Sequence, residues 1–60
     1  MISNNILVNN FKVSDTVFLV SGSSALTVTE IKDNTVFVKW LNDEGTYDTA
    51  DFDCRCLKYD

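Results

Sequence analysis

Asp51 and Asp53 stand two residues apart. On an extended strand their carboxylates share a face about 7 Å apart, a spacing that overlaps the range of paired carboxylates in glycoside hydrolysis. Such chemistry also needs a water-excluding cleft of several hundred Å³, which a chain of 60 residues has little means of forming. Histidine is absent, which removes the commonest general base and the usual activator of a Ser or Cys nucleophile. Cys54-Arg55-Cys56 places two thiols on one side of an extended segment. A zinc site would need further ligands, and neither a histidine nor a second cysteine pair supplies them. A disulfide between such near neighbours would be strained, so free thiols are expected. Asp43-Glu44-Gly45 lacks the ligand spacing of a calcium loop. The expectation is a binding module that is not an enzyme, with no metal and no cofactor.

Charge is unevenly distributed. Residues 1 to 40 carry three acids (Asp15, Glu30, Asp33) and three bases (Lys12, Lys32, Lys39), so the net charge of -4 comes from residues 41 to 60, where six acids face Arg55 and Lys58. Leu41 to Asp53 holds Asp43, Glu44, Asp48, Asp51 and Asp53 and no base. Direct nucleic-acid binding relies on Lys and Arg to neutralise phosphates, and five bases in an acidic chain make a poor footprint. The inverse arrangement fits better. Alternate carboxylates on a strand lie about 6.6 Å apart and can occupy a basic groove meant for phosphates. Asp43, Glu44, Asp48, Asp51 and Asp53 are therefore the expected partner-binding residues. They would form one acidic face that docks on a basic protein surface, in the manner of a nucleic-acid mimic, so that a protein handling nucleic acid is an expected partner. The bland account of the same residues is a solubilising face. The alternative function is an adaptor that binds a protein or peptide through exposed Phe18, Phe37 and Tyr47.

The elements that must position these groups read as strands. β-branched and aromatic residues alternate in short runs at Thr16 to Val20, Leu26 to Ile31, Thr35 to Trp40 and Thr46 to Phe52, and Cys54 to Tyr59 forms a short final strand or helical turn. Ser21-Gly22-Ser23-Ser24, Asp33-Asn34 and Asn42-Asp43-Glu44-Gly45 punctuate them. The spacing predicts one all-β domain over residues 1–60, an antiparallel meander closed into a small barrel of four to six short strands, with residues 1–10 as an N-terminal extension or extra strand. Closure would remove exposed strand edges. Val17, Leu19, Leu26, Val28, Val36, Val38, Trp40, Phe52 and Leu57 are the expected interior, with Phe18, Val20 and Phe37 outside. A chain of this size buries only about 60% of its unfolded surface, which suits a monomer or weak homodimer. A start without a basic and apolar leader, and the lack of an apolar run near the ~20 residues that span a bilayer, predict a cytoplasmic protein without membrane contact.

From Phe11 onward the chain resembles the YodC-like family of small uncharacterised bacterial proteins. The likeness rests on Phe11-Lys12-Val13, Asp15, Val17, Leu19, Ser21-Gly22, Leu26-Thr27-Val28, Val36, Val38, Trp40, Gly45, Phe52 and Leu57, and Ser23-Ser24 stands where Gly-Pro is usual in that family. The resemblance implies an SH3-type barrel and carries over no functional residue. The phage and mobile-element settings of similar proteins imply an inhibitor of host defence, by analogy alone.

Overall fold

The computed structural model describes residues 11–59, so the extension expected over residues 1–10 lies outside the described residues. Five strands follow in chain order: β1 (Thr16–Leu19), β2 (Leu26–Lys32), β3 (Thr35–Leu41), β4 (Tyr47–Asp53) and β5 (Leu57–Lys58), with a 3₁₀ turn over Cys54–Cys56 before the last. They form one sheet in the order β4-β3-β2-β1-β5, and all pairs are antiparallel. The all-β antiparallel fold and the expected number of strands are thus what the chain adopts.

Alternation decides which side chains meet. Val36 pairs with Phe52, Val38 with Ala50 and Trp40 with Asp48 on one face, while Thr35, Phe37, Lys39 and Leu41 face the other way. Val17 opposite Leu26, Val28 opposite Val38 and Leu19 opposite Leu57 extend the inner face across β2, β1 and β5. Val17, Val28, Val36 and Val38 are almost completely enclosed, joined by Leu26, Leu57 and Cys54. One irregularity matters to this core. The register shifts between Val28 and Glu30, which makes Thr29 the extra residue of a β-bulge, and its hydroxyl donates to the Phe37 carbonyl at 3.2 Å. Uninterrupted alternation would turn Ile31 outward, whereas the bulge sets it opposite Val36, packed against the core.

Two expectations need correction. The sheet does not close into a barrel: β4 and β5 are its two ends. The physical reason is β5 itself, whose two residues are taken up in pairing with β1 and offer no ladder to the seven residues of β4. Secondly, Leu19, Trp40 and Phe52 are packed against the core and only half-buried, because they line the unclosed side. Truncating Trp40 should therefore cost less than the roughly 3 to 5 kcal/mol of a fully buried tryptophan.

Tyr59, which follows β5, is fastened to the segment that precedes β1. Tyr59 donates its hydroxyl to the Asp15 carboxylate, which also accepts the Lys12 backbone N–H at 2.9 Å, and the Tyr59 ring stacks obliquely on Phe11 with centroids 5.1 Å apart. The hydrogen bond from Tyr59, followed by that from the Lys12 N–H, holds the Asp15 carboxyl below its ordinary 3.8, and the same bond raises the Tyr59 phenol above 10.0. Depressed in the fold, Asp15 adds stability that is present above pH 3.8 and is lost as pH falls through its folded value. Tyr59, raised in the fold, adds stability that is present below pH 10.0 and is lost as pH rises through its folded value. The urea midpoint followed against pH should therefore fall at both ends, and Asp15→Asn should flatten the acid limb. An acid limb unchanged in the variant would refute the linkage.

Candidate functional site

The β3–β4 connection is built around Asn42. Its Oδ1 accepts the backbone N–H groups of Glu44 at 2.9 Å and Thr46 at 3.1 Å, and its Nδ2 donates to the Thr46 hydroxyl at 2.9 Å. Such a side chain mimics backbone turn bonding. Gly45 completes the turn at φ 84°, a left-handed conformation that favours glycine. Asp43 and Glu44 are consequently held at the exposed tip of the hairpin.

The five acids do not form one face. Asp48 lies across from Trp40 on the inner, unclosed side, whereas Asp51 lies across from Phe37 on the outer side, with Asp53 two residues further along. The reason is the two-residue period of the strand: an odd spacing from Asp48 to Asp51 sends their side chains to opposite faces. Asp53 is committed elsewhere. Its carboxylate accepts the Arg55 backbone N–H at 2.9 Å and caps the 3₁₀ turn, while the Arg55 guanidinium meets it at 3.0 Å and 3.2 Å. The Arg55 bonds hold the Asp53 carboxyl below its ordinary value. The acidic face expected over residues 43–53 thus resolves into an exposed group at the hairpin end (Asp43, Glu44, Asp48), one outer carboxylate (Asp51) and one internally paired carboxylate (Asp53).

Sequence reasoning passed over a cavity of about 290 Å³ on the unclosed side, lined by Leu19, Ser23, Ser24, Leu26, Trp40 and Phe52. The β1–β2 connection is folded onto its rim by Ser23, whose hydroxyl accepts the Leu19 N–H at 3.0 Å and donates to the Ser24 carbonyl at 2.9 Å. Thr27 pairs with Lys39 and Leu41 with Tyr47, so this connection and the β3–β4 turn lie at the same end of the sheet. The signal that could have located the cavity was the pair of large rings at Trp40 and Phe52, too many for the short strands to enclose.

The aromatics of the alternative reading are spread out, and of the three only Tyr47 is exposed, Phe18 and Phe37 being half-buried. Phe37 and Tyr47 are separated on the outer face by the Lys39–Thr49 pair, and Phe18 lies on β1 with β2 between it and β3. Lys39 already sits over the Tyr47 ring, its Nζ 4.8 Å from the centroid.

The thiols also part company. Both are free, but Cys54 is buried and Cys56 exposed, because a 3₁₀ turn advances one third of a circle per residue and does not keep residues two apart on one side, as an extended segment would. The Cys54 N–H donates to the Asn34 carbonyl at 2.7 Å, docking the turn against the β2–β3 connection. Among the described residues no group of three or more potential ligands could hold a metal ion. Cys56 should react with an aromatic disulfide reagent at the rate of an exposed thiol, whereas Cys54 should react only when the fold opens. Two equally fast phases in the native protein would contradict this placement.

Among the described residues no helix is long and apolar enough to cross a membrane. Comparison with known proteins matches no family model, no curated protein and no solved structure. The likeness to the YodC-like family therefore stays a resemblance of residues.

Proposed function

We propose that this protein is a non-catalytic binding module that docks through the acidic end of its β3–β4 hairpin on a basic protein surface. The observation that carries the reading is the Asn42-braced turn, which holds Asp43 and Glu44 outward at the same end of the sheet as Asp48, with no base between Leu41 and Asp53. Three unneutralised carboxylates at one end create a local field that favours encounter with a basic patch. A surface that normally holds nucleic acid, such as that of a host defence complex, is one partner class with the required charge. Because Asp48 and Asp51 face opposite ways and Asp53 is paired to Arg55, the geometry favours a charged tip over a regular row of phosphate mimics. The test is capture of a partner from a bacterial lysate at low salt, with release by salt and loss of capture when Asp43, Glu44 and Asp48 become amides. Capture that survives both would overturn the proposal.

One observation favours a second reading. β4 is a seven-residue end strand of the sheet with acids at Asp48, Asp51 and Asp53, and charge on such an edge discourages pairing with another chain. If that is all the acids do, the amide variant should self-associate and no partner should be lost.

A further inference from the structure

We propose that the cavity between Trp40 and Phe52 receives a single cationic side chain, lysine or arginine, from the basic partner, an inference that rests on the docking function proposed above. The cavity of about 290 Å³ is at the lower end of ligand clefts, which run from roughly 300 to 1,000 Å³, and suits one side chain better than a cofactor. Its walls are mainly apolar, with Leu19, Leu26, Trp40 and Phe52 offering carbon to a methylene stem and Ser23 and Ser24 as the polar members of the lining. Lysine and arginine carry such a stem beneath a charged head. The face of a tryptophan or phenylalanine ring attracts that head, tryptophan most strongly. What separates a cation from a neutral apolar guest is Asp48. It is paired across the strands with Trp40 on this same face and is exposed, with Asp43 and Glu44 beyond it at the turn. Asp48 stands outside the cavity lining, beside Trp40, so a charged head that emerges past the indole can pair with its carboxylate, whereas a neutral side chain gains nothing from it. The nearby base of β3, Lys39, does not compete, since it points to the outer face and lies over Tyr47.

Trp40 is the single tryptophan of the chain, so its indole N–H gives one resolved resonance at the site. The experiment is an NMR titration of the full chain with Nα-acetyl-lysine amide, Nα-acetyl-arginine amide and the neutral isostere Nα-acetyl-norleucine amide. The lysine and arginine compounds should give saturable shifts centred on the Trp40 indole, Phe52 and Ser24, and the norleucine compound should bind about tenfold more weakly. Asp48→Asn should abolish that preference while leaving the spectrum of the folded chain, and Asp51→Asn on the opposite face should leave the preference intact. Equal binding of the norleucine compound would show an apolar slot and overturn the proposal, as would shifts that map away from the cavity or fail to saturate. The isolated compounds carry no partner, so the two ideas can fail separately. Loss of the lysine preference with salt-sensitive docking retained sinks only the cation pocket, whereas docking indifferent to Asp43 and Glu44 sinks the function proposed above even if the pocket prefers lysine.

Discussion

Alanine at Val36 and Val38 together is expected to leave the chain largely unfolded at 25 °C. Both side chains are fully enclosed at 0% exposure, between Phe52 and Ala50 of β4 on one side and Ile31 and Val28 of β2 on the other. Each substitution removes two buried carbons, about 1.6 kcal/mol at ~0.8 kcal/mol per methylene. The cavity left behind adds to this, for about 2 to 3 kcal/mol per site. The whole fold has on the order of 3 to 9 kcal/mol, at roughly 0.05 to 0.15 kcal/mol per residue. Two such losses in one strand consume most of it. Urea denaturation followed by circular dichroism should show each single variant with a markedly lower midpoint and the double variant without a native baseline. Val20→Ala is the control, since Val20 is 56% exposed and should shift stability by less than about 0.5 kcal/mol. A double variant that unfolds cooperatively near the parent midpoint would show that the core is not where the pairing register places it.

How much of this was legible in the sequence depends on the range of the interaction concerned. Alternation of Val36, Val38 and Trp40 against Phe37 and Lys39 is a local property, and it places β3 and its two faces correctly. The turn at Asn42 to Gly45 is also local, carried by a residue that brackets the turn with its own side chain and a glycine at positive φ. The bulge at Thr29 is not legible, because it reflects pairing with Phe37 rather than any preference of threonine, and so the inward position of Ile31 was missed. Barrel closure is not legible in the strand spacing. It depends on whether the last strand is long enough to meet β4, and the 3₁₀ turn over Cys54–Cys56 uses up the residues that would have extended it. The same turn sends the two cysteines to different environments. The acidic site was legible as composition and not as geometry: counting acids from 43 to 53 ignores the strand period that puts Asp48 and Asp51 on opposite faces, and the pairing that commits Asp53 to Arg55.

Conversion of Asp43, Glu44 and Asp48 to the neutral amides carries the largest expected effect on function. All three are exposed, and exposed charges contribute little to stability, so the fold should persist. Their removal takes the field from the hairpin end, and electrostatic steering of this kind alters association rates by about 10- to 1,000-fold. The variant should associate with the captured partner at least about tenfold more slowly at low salt, with a smaller change in dissociation. Asp53→Ala should behave differently. It removes the cap of the 3₁₀ turn and the Arg55 pair, and should lower stability with little change in association rate.

The most direct test of charge-driven docking is the association rate of parent and triple-amide variant with the captured partner, measured by stopped flow across a range of salt. Screening shortens the reach of exposed charges from about 30 Å at 0.01 M to about 8 Å at 0.15 M ionic strength. The parent rate should fall steeply over that range, the variant should start at least about tenfold slower and vary little, and the two should converge at high salt. Parallel curves with equal rates at low salt would contradict the acidic hairpin as the docking site.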